Sequence, residues 1–274
     1  MGQEHFEISA GEGTVEFWTA SRLGFDPRGP MRVARDALRA SLAGLQATEG
    51  RVLRAELLCE DEGFFDVENV LIYNVGASSL THATTFGLHV TTEKAKPPPA
   101  PSSRALPYLH RYSLEVVPQR PSTKPSMEFS LQGLSSSTKP HVVWWAACQA
   151  TPAKSSILPG TFSVYVEVPA RAAIANVVKP LLDGIICAMH PNPEPDREAV
   201  GRLSVRTGWS EAAIAANLRS PPVPCLDPRT VVRPYRDFIK WDPADELCQE
   251  FVVVKAGSPS TCKVWVTSTN GTAP

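Results

Sequence analysis

The chain carries two acidic residues, Asp66 and Glu68, at a spacing that suits metal chemistry. On an extended segment, residues two apart point to the same side, so both carboxylates could bind one cation. Mg²⁺ prefers anionic oxygen ligands and can activate water beside a phosphate group. Asn69 follows directly and completes a D-x-E-N motif. Two solvated surface acids are the ordinary alternative for such a pair.

A second polar set, Asn176, Lys179 and Asp183, follows the alternating strand pattern 162–168. A lysine can neutralise a phosphodiester, and residues four apart meet on one face of a helix. The alternatives are structural. Lys179 and Asp183 could form a surface ion pair, which contributes only about 0.3–0.5 kcal/mol. Asn176 is also a good N-cap residue for the helix predicted over 177–190, with Pro180 in its first turn.

These segments resemble the RusA family of Holliday-junction resolvases, whose signature is a strand followed by D-x-D-N-x-x-K-x-x-x-D at the start of a helix. Asn176, Lys179 and Asp183 match the last three signature positions, whereas Ala173 and Ala175 stand where the resemblance implies an acid pair. A methyl group offers Mg²⁺ no ligand. The resemblance therefore implies nuclease ancestry with an incomplete metal motif.

The upstream segment resembles the same family. A predicted helix over 30–45 and a strand over 51–58 precede the D-x-E-N motif at 66–69, but Ile72 and Gly76 stand at the lysine and aspartate offsets. The first copy keeps the acid pair, and the second keeps the lysine and the last aspartate, which suggests a tandem arrangement. The resemblance further implies a third acid before a final strand at 250–255. We assign it to Asp242, with Asp245 as the alternative, although the surrounding residues also fit a turn or a helix start.

Three functions follow from these residues. The favoured one is a catalytically degenerate, RusA-like nuclease-fold protein that binds nucleic acid or a protein partner. The second is a Mg²⁺-dependent endonuclease of branched DNA, with a composite site drawn from both halves. The third is a structural or assembly subunit, suggested by the tryptophan pair at 144–145. The expected catalytic residues are Asp66, Glu68, Asn69, Asn176, Lys179, Asp183 and Asp242, and the expected metal ligands are Asp66, Glu68 and Asp242.

The expected fold class is α+β, with mixed sheets, packed helices and RusA-like units. Residues 1–94 form the predicted first unit, a proline-rich linker covers 95–107, and residues 108–274 form the second unit. Strands are predicted from the patterns at 14–18, 112–117, 142–146 and 162–168. An insertion over about 191–237 contains a pattern that resembles a helix-turn-helix. Its alanine-rich second helix favours a packed helical hairpin over a DNA-reading unit.

Composition sets the remaining expectations. The 274 residues have a formal net charge of −1, whereas a protein that depends on phosphate contacts usually carries an excess of Lys and Arg. The six scattered cysteines favour neither a zinc site nor a disulfide framework. No apolar run is long enough to cross a bilayer, and no signal-peptide pattern is visible, so we expect a cytoplasmic protein without a membrane partner.

Overall fold

The structure is a computed structural model. It describes residues 5–60, 68–122, 125, 127–132, 135, 138–149, 158, 160–222, 224–256 and 261–269. Asp66, one of the predicted metal ligands, lies outside these residues. The fold is α+β, as predicted.

Nine strands form one large mixed sheet, with helices packed against it. The strands are β1 (Phe6–Gly11), β2 (Thr14–Thr19), β3 (Arg51–Cys59), β4 (Gly87–Lys94), β5 (Tyr108–Val116), β6 (Met127–Gln132), β7 (Phe162–Pro169), β8 (Val232–Tyr235), β9 (Phe238–Trp241), β10 (Cys248–Ala256) and β11 (Thr261–Ser268). The helices are α1 (Pro30–Leu42), α2 (Pro140–Gln149), α3 (Ile174–Cys187), α4 (Arg197–Thr207) and α5 (Glu211–Arg219). Strands β8 and β9 form a separate hairpin.

The large sheet repeats one topology about its centre. Its order is β1-β2-β5-β3-β4-β10-β7-β11-β6. The first half has the local order β2-β5-β3-β4, and the second half has β6-β11-β7-β10. In both halves the first two pairings are antiparallel and the third is parallel. Because β4 and β10 pair antiparallel, a pseudo-twofold axis passes between them.

The proline-rich segment 95–107 connects β4 to β5 within the first half. Strand β5 pairs with β2 on one side and β3 on the other, so the sheet continues across the predicted linker. The segment also packs against the sheet: the indole of Trp18 donates a hydrogen bond to the carbonyl of Pro98 at 2.9 Å, and Ala100 is buried beside it. The topological boundary between the halves falls instead between β5 and β6.

The strand predicted at 142–146 is wrong, because these residues form helix α2. Val143, Trp144, Ala147 and Cys148 are buried at spacings of three and four. A short run that is apolar on nearly every side lacks the period that separates a strand from a helix. The tryptophan pair is not an exposed interface either. Trp144 is fully buried, and Trp145 stacks on Trp209 with ring centroids 4.1 Å apart. The observation that suggested an assembly subunit therefore no longer supports it.

Helix α3 begins earlier than predicted. Ala173 is its N-cap residue, so Asn176 lies inside the first turn and the predicted cap is wrong. Pro180 lies within the helix rather than in its first turn. The helix packs closely on α2, because a Cβ atom at Gly184 would lie 2.5 Å from Val143 Cβ. Helices α4 and α5 form the expected hairpin, with Ser210 capping α5 and Gly208 in the left-handed region at φ 75°. No helix in the described ranges is both long and apolar enough to span a bilayer.

Candidate metal centre

Three carboxylates from distant parts of the chain meet near the centre of the sheet. One oxygen each of Glu68, Asp183 and Asp245 lies within 4.8 Å of the other two. Glu68 belongs to the first half and immediately precedes a π-helical turn at Asn69–Tyr73. Asp183 lies on α3, and Asp245 begins a 3₁₀ turn at Asp245–Leu247 just before β10. Both halves of the protein therefore contribute to one acidic cluster.

The topology explains why these residues meet. The connection from β3 to β4 and the connection from β7 to β10 each join parallel strands, so each must cross a face of the sheet. The first crossing contains the turn after Glu68, and the second contains α3. Helix α3 contacts that turn as well as β4 and β10, so the two crossings lie together over the pseudo-twofold axis. Neither half could assemble the cluster alone.

Lys179 joins the cluster from α3. Its ammonium group donates hydrogen bonds to Glu68 Oε1 at 2.8 Å and to Asp183 Oδ1 at 3.1 Å. The side chains of Glu68 and Asp183 are only 2% and 8% exposed, whereas that of Lys179 is 28% exposed. The Lys179–Asp183 pair is therefore not the ordinary surface ion pair that a four-residue spacing allows. Lys179 partly compensates the negative charge of two nearly buried carboxylates, and its own side chain still reaches solvent.

Asp242, the residue assigned to the third acid, does not belong to this group. Its Oδ1 lies 3.5 Å from both Arg233 and Lys240, which belong to the β8–β9 hairpin. Its backbone N–H donates to the carbonyl of Val231, which fixes Asp242 at the end of that hairpin. Pro243 follows, and the chain turns before Asp245 reaches the cluster. The assignment of Asp242 as a metal ligand is thus not supported by the geometry, and the alternative residue Asp245 takes that place.

The two predicted asparagines lie beside the cluster. Asn176 lines a cavity of about 420 Å³ together with Glu68, Lys179 and Asp183. Asn69 lines a neighbouring groove of about 860 Å³, which Lys179 also borders. Lys179 therefore lines both openings, and its side chain is 28% exposed.

The two alanines at the missing acid positions lie close to the same cavity. Ala175 lines it beside Asn176, and Ala173 immediately precedes the first turn of α3. A carboxylate at position 175 would therefore stand at the wall of the acidic cavity. The cluster is built from other acids instead.

Two cysteines lie near the acids, Cys187, which is buried, and Cys248, which is half-buried. Burial raises the pKa of the Cys187 thiol well above its usual range, and the charges of Asp183 and Asp245 raise it further. Burial likewise raises the pKa of Cys248, with Asp245 adding to the effect. Neither thiol is among the side chains whose ligand atoms lie within 4.8 Å of one another, which are Glu68, Asp183 and Asp245. The available ligands are carboxylate oxygens, which suit Mg²⁺, Mn²⁺ or Ca²⁺ rather than a thiophilic metal.

The cluster has the dimensions and charge that a divalent cation requires. Oxygen ligands bind such ions at about 2.0–2.6 Å, so oxygens around one ion lie within about 4–5 Å of one another. The three carboxylates meet this condition. Three ionised carboxylates and one ammonium group together carry a charge of −2, which one divalent cation neutralises. The residues of the cluster are therefore suited to hold a divalent cation.

Comparison with known proteins adds no further guide to the chemistry. The chain matches no protein-family model, no curated protein and no solved structure.

Proposed function

We propose that the protein is a divalent-cation-dependent phosphodiesterase that cleaves nucleic acid at one composite site. The observation that carries the proposal is the convergence of Glu68 from the first half with Asp183 and Asp245 from the second, around Lys179. Carboxylate clusters of this kind hold the cations used in phosphodiester hydrolysis. The resolvase resemblance around 66–69 and 176–183 supports the same chemistry.

Each side chain has a distinct role in this proposal. Glu68, Asp183 and Asp245 would hold the cation, which, when bound, lowers the pKa of a water molecule and polarises a phosphate oxygen. We assign to Lys179 the neutralisation of the substrate phosphate, because its side chain lines both the acidic cavity and the groove. Asn176 offers an amide on the wall of the acidic cavity, where it can hydrogen-bond to the substrate.

The test is a cleavage assay with charge-matched variants. A four-way DNA junction, a linear duplex and a single strand are incubated with the wild-type protein in Mg²⁺, in Mn²⁺ and in EDTA. We expect cation-dependent cleavage that Glu68→Gln, Asp183→Asn and Asp245→Asn each reduce by roughly 100-fold or more, because each removes a negative oxygen ligand. Asp242→Asn makes the same chemical change outside the cluster and should retain wild-type activity.

Two results would contradict the proposal. One is cleavage that survives in the three cluster variants. The other is the absence of cleavage of all three substrates although the protein is folded and supplied with either cation.

The second candidate function is a degenerate nuclease-fold protein that binds nucleic acid without cutting it. The observation in its favour is the presence of Ala173 and Ala175 at the positions where the resemblance implies acids. For this candidate, the wild-type protein should bind DNA without cleaving it, and the double variant Ala173→Asp/Ala175→Asp should gain Mg²⁺-dependent cleavage. Wild-type cleavage that depends on Glu68 would exclude it.

A further inference from the structure

Four aromatic side chains are exposed around the groove that borders Lys179. Phe25 is 67% exposed, Tyr73 51%, Tyr235 53% and Phe238 58%. They comprise every large aromatic side chain that stands exposed among the described residues, and all four line the groove of about 860 Å³. Exposed aromatic surface gathered in one place indicates a binding site rather than chance. We call this feature the aromatic groove.

The aromatic residues form two pairs held by different elements. Phe25 and Tyr73 stack with ring centroids 5.3 Å apart and an angle of 11° between their planes. Tyr235 and Phe238 are directly opposed across the β8–β9 hairpin. Arg202 of α4 donates a hydrogen bond to the carbonyl of Phe238 at 3.2 Å, which supports the hairpin from behind. The helical insertion therefore helps to present one of the pairs.

The charges of the aromatic groove identify the chemical class of its ligand. Arg22, Lys179 and Lys240 line it. Lys179 is paired with Glu68 and Asp183, and Lys240 with Asp242, but these acids are not among the lining residues. Flat aromatic faces beside cations suit a polymer with planar bases and an anionic backbone. The whole chain carries a net charge of only −1, so attraction for phosphate depends on this local arrangement.

We infer that the aromatic groove binds unpaired nucleotides of a nucleic-acid strand. Bases stack on the exposed rings, and the backbone runs toward Lys179, which adjoins the acidic cluster. This inference deepens the proposed function, on which it rests for the role of Lys179, by naming the substrate class: strands with unpaired bases near the scissile phosphate, in preference to continuous duplex. Stacking tolerates any base, so recognition depends on strand structure rather than sequence.

Binding is measured in EDTA, so that neither cleavage nor a bound cation affects the result. Fluorescence anisotropy gives the Kd for a labelled 20-nucleotide oligo(dT), the matching oligo(U) and a blunt 20-base-pair duplex. The variants are Phe25→Ala and Phe238→Ala, one from each aromatic pair, with Phe25→Trp as the conservative change. Val116→Ala removes an exposed apolar side chain at the end of β5, away from the lining of the groove, and is the matched control. Thermal melting confirms that each variant is folded.

We expect the wild-type protein to bind at least one of the two single strands more tightly than the duplex. Each alanine variant should weaken that binding by about 5- to 150-fold, the range measured for the loss of one stacked base. Phe25→Trp and Val116→Ala should bind as the wild type does. The comparison of oligo(dT) with oligo(U) distinguishes a DNA strand from an RNA strand.

Equal affinity for duplex and single strands would overturn the inference, as would alanine variants that bind like Val116→Ala. These outcomes are distinct from failure of the proposed function, because binding in EDTA requires neither a bound cation nor cleavage. Strand binding that needs the aromatic rings, without cleavage in any cation, would leave the groove assigned and would remove the phosphodiesterase.

Discussion

Replacing Lys179 by methionine removes the cation between two nearly buried carboxylates and preserves most of the side-chain volume. The ammonium lies 2.8 Å from Glu68 and 3.1 Å from Asp183. Removing one partner of a buried ion pair costs about 3–5 kcal/mol, because the remaining charge stays buried without compensation. Lys179 is 28% exposed, so solvent screening places the expected loss at the lower limit, about 3 kcal/mol of unfolding free energy in EDTA.

A divalent cation should restore the lost stability if the cluster is a metal site. Lys179→Met makes the cluster more negative, which increases its affinity for Mn²⁺ or Mg²⁺. A cation present at about 100 times its Kd adds about 2.7 kcal/mol to the stability of the folded state. The variant should therefore approach wild-type stability in excess Mn²⁺, and the wild-type protein should gain less.

The assay is urea unfolding followed by circular dichroism, in EDTA and in a Mn²⁺ series. Lys240→Met is the matched control, since Lys240 pairs with the half-exposed Asp242 at 3.5 Å and its loss should cost less than about 1 kcal/mol. The reasoning would be refuted if Lys179→Met and Lys240→Met had the same unfolding midpoint in EDTA. A loss in Lys179→Met that Mn²⁺ leaves unchanged would refute the metal site while keeping the electrostatic argument.

Two further predictions concern the core that supports the site. Gly184→Ala places a Cβ atom 2.5 Å from Val143 Cβ and 2.7 Å from the carbonyl oxygen of Pro140, so α3 must move away from α2. We expect a loss of about 1–3 kcal/mol or more and a lower urea midpoint, and an unchanged midpoint would show that the helices have room. His110 is fully buried, neither of its ring nitrogens has a hydrogen-bond partner in the described part of the chain, and burial lowers its pKa to about 3. Below pH 6.5 the unfolded chain takes up this proton and the folded protein does not, so stability falls as the pH drops from about 6.5 toward 3. The expected loss from this group between pH 7 and pH 5 is about 2 kcal/mol, which His110→Leu should abolish; urea unfolding at the two pH values measures it, and an equal pH dependence in both proteins would contradict the assignment.

The strands that alternate in sequence were predictable, and the pairing of the strands was not. Patterns at 14–18 and 162–168 indicate half-buried strands because side chains alternate between two faces, and both are strands in the structure. The proline-rich segment 95–107 has the composition of a spacer, yet it carries the chain to β5, which pairs between β2 and β3. Composition describes the local stiffness of the chain, whereas the neighbours of a strand depend on contacts far away in sequence.

The members of the acidic cluster were predictable only in part, for a similar reason. Motif spacing singled out Glu68, Lys179 and Asp183, but their contact spans 111 residues and depends on how two crossings meet over the sheet. The choice between Asp242 and Asp245 depends on the turn at Pro243, which directs one carboxylate to a hairpin and the other to the cluster. Local sequence allowed both residues.

The aromatic groove was not predicted. Phe25, Tyr73 and the hairpin residues Tyr235 and Phe238 come from three segments with no shared motif. An aromatic residue in a sequence is also more often part of the core than of the surface. Only the exposure of the folded side chains distinguishes them. The one signal in the sequence was the pair of aromatic residues at 235 and 238, which lie beside Arg236 and Lys240.

The central claim is that acids from the two halves of the chain bind one and the same divalent cation. It is tested most directly by titrating the protein with Mn²⁺ while free Mn²⁺ is followed by electron paramagnetic resonance. We predict that each chain binds one Mn²⁺ ion tightly. Glu68→Gln and Asp183→Asn should each weaken the affinity for that ion by at least roughly tenfold, the lower limit known for outer-shell partners of a metal. Mn²⁺ binding that persists unchanged in either variant, or no binding by the wild-type protein, would contradict the central claim.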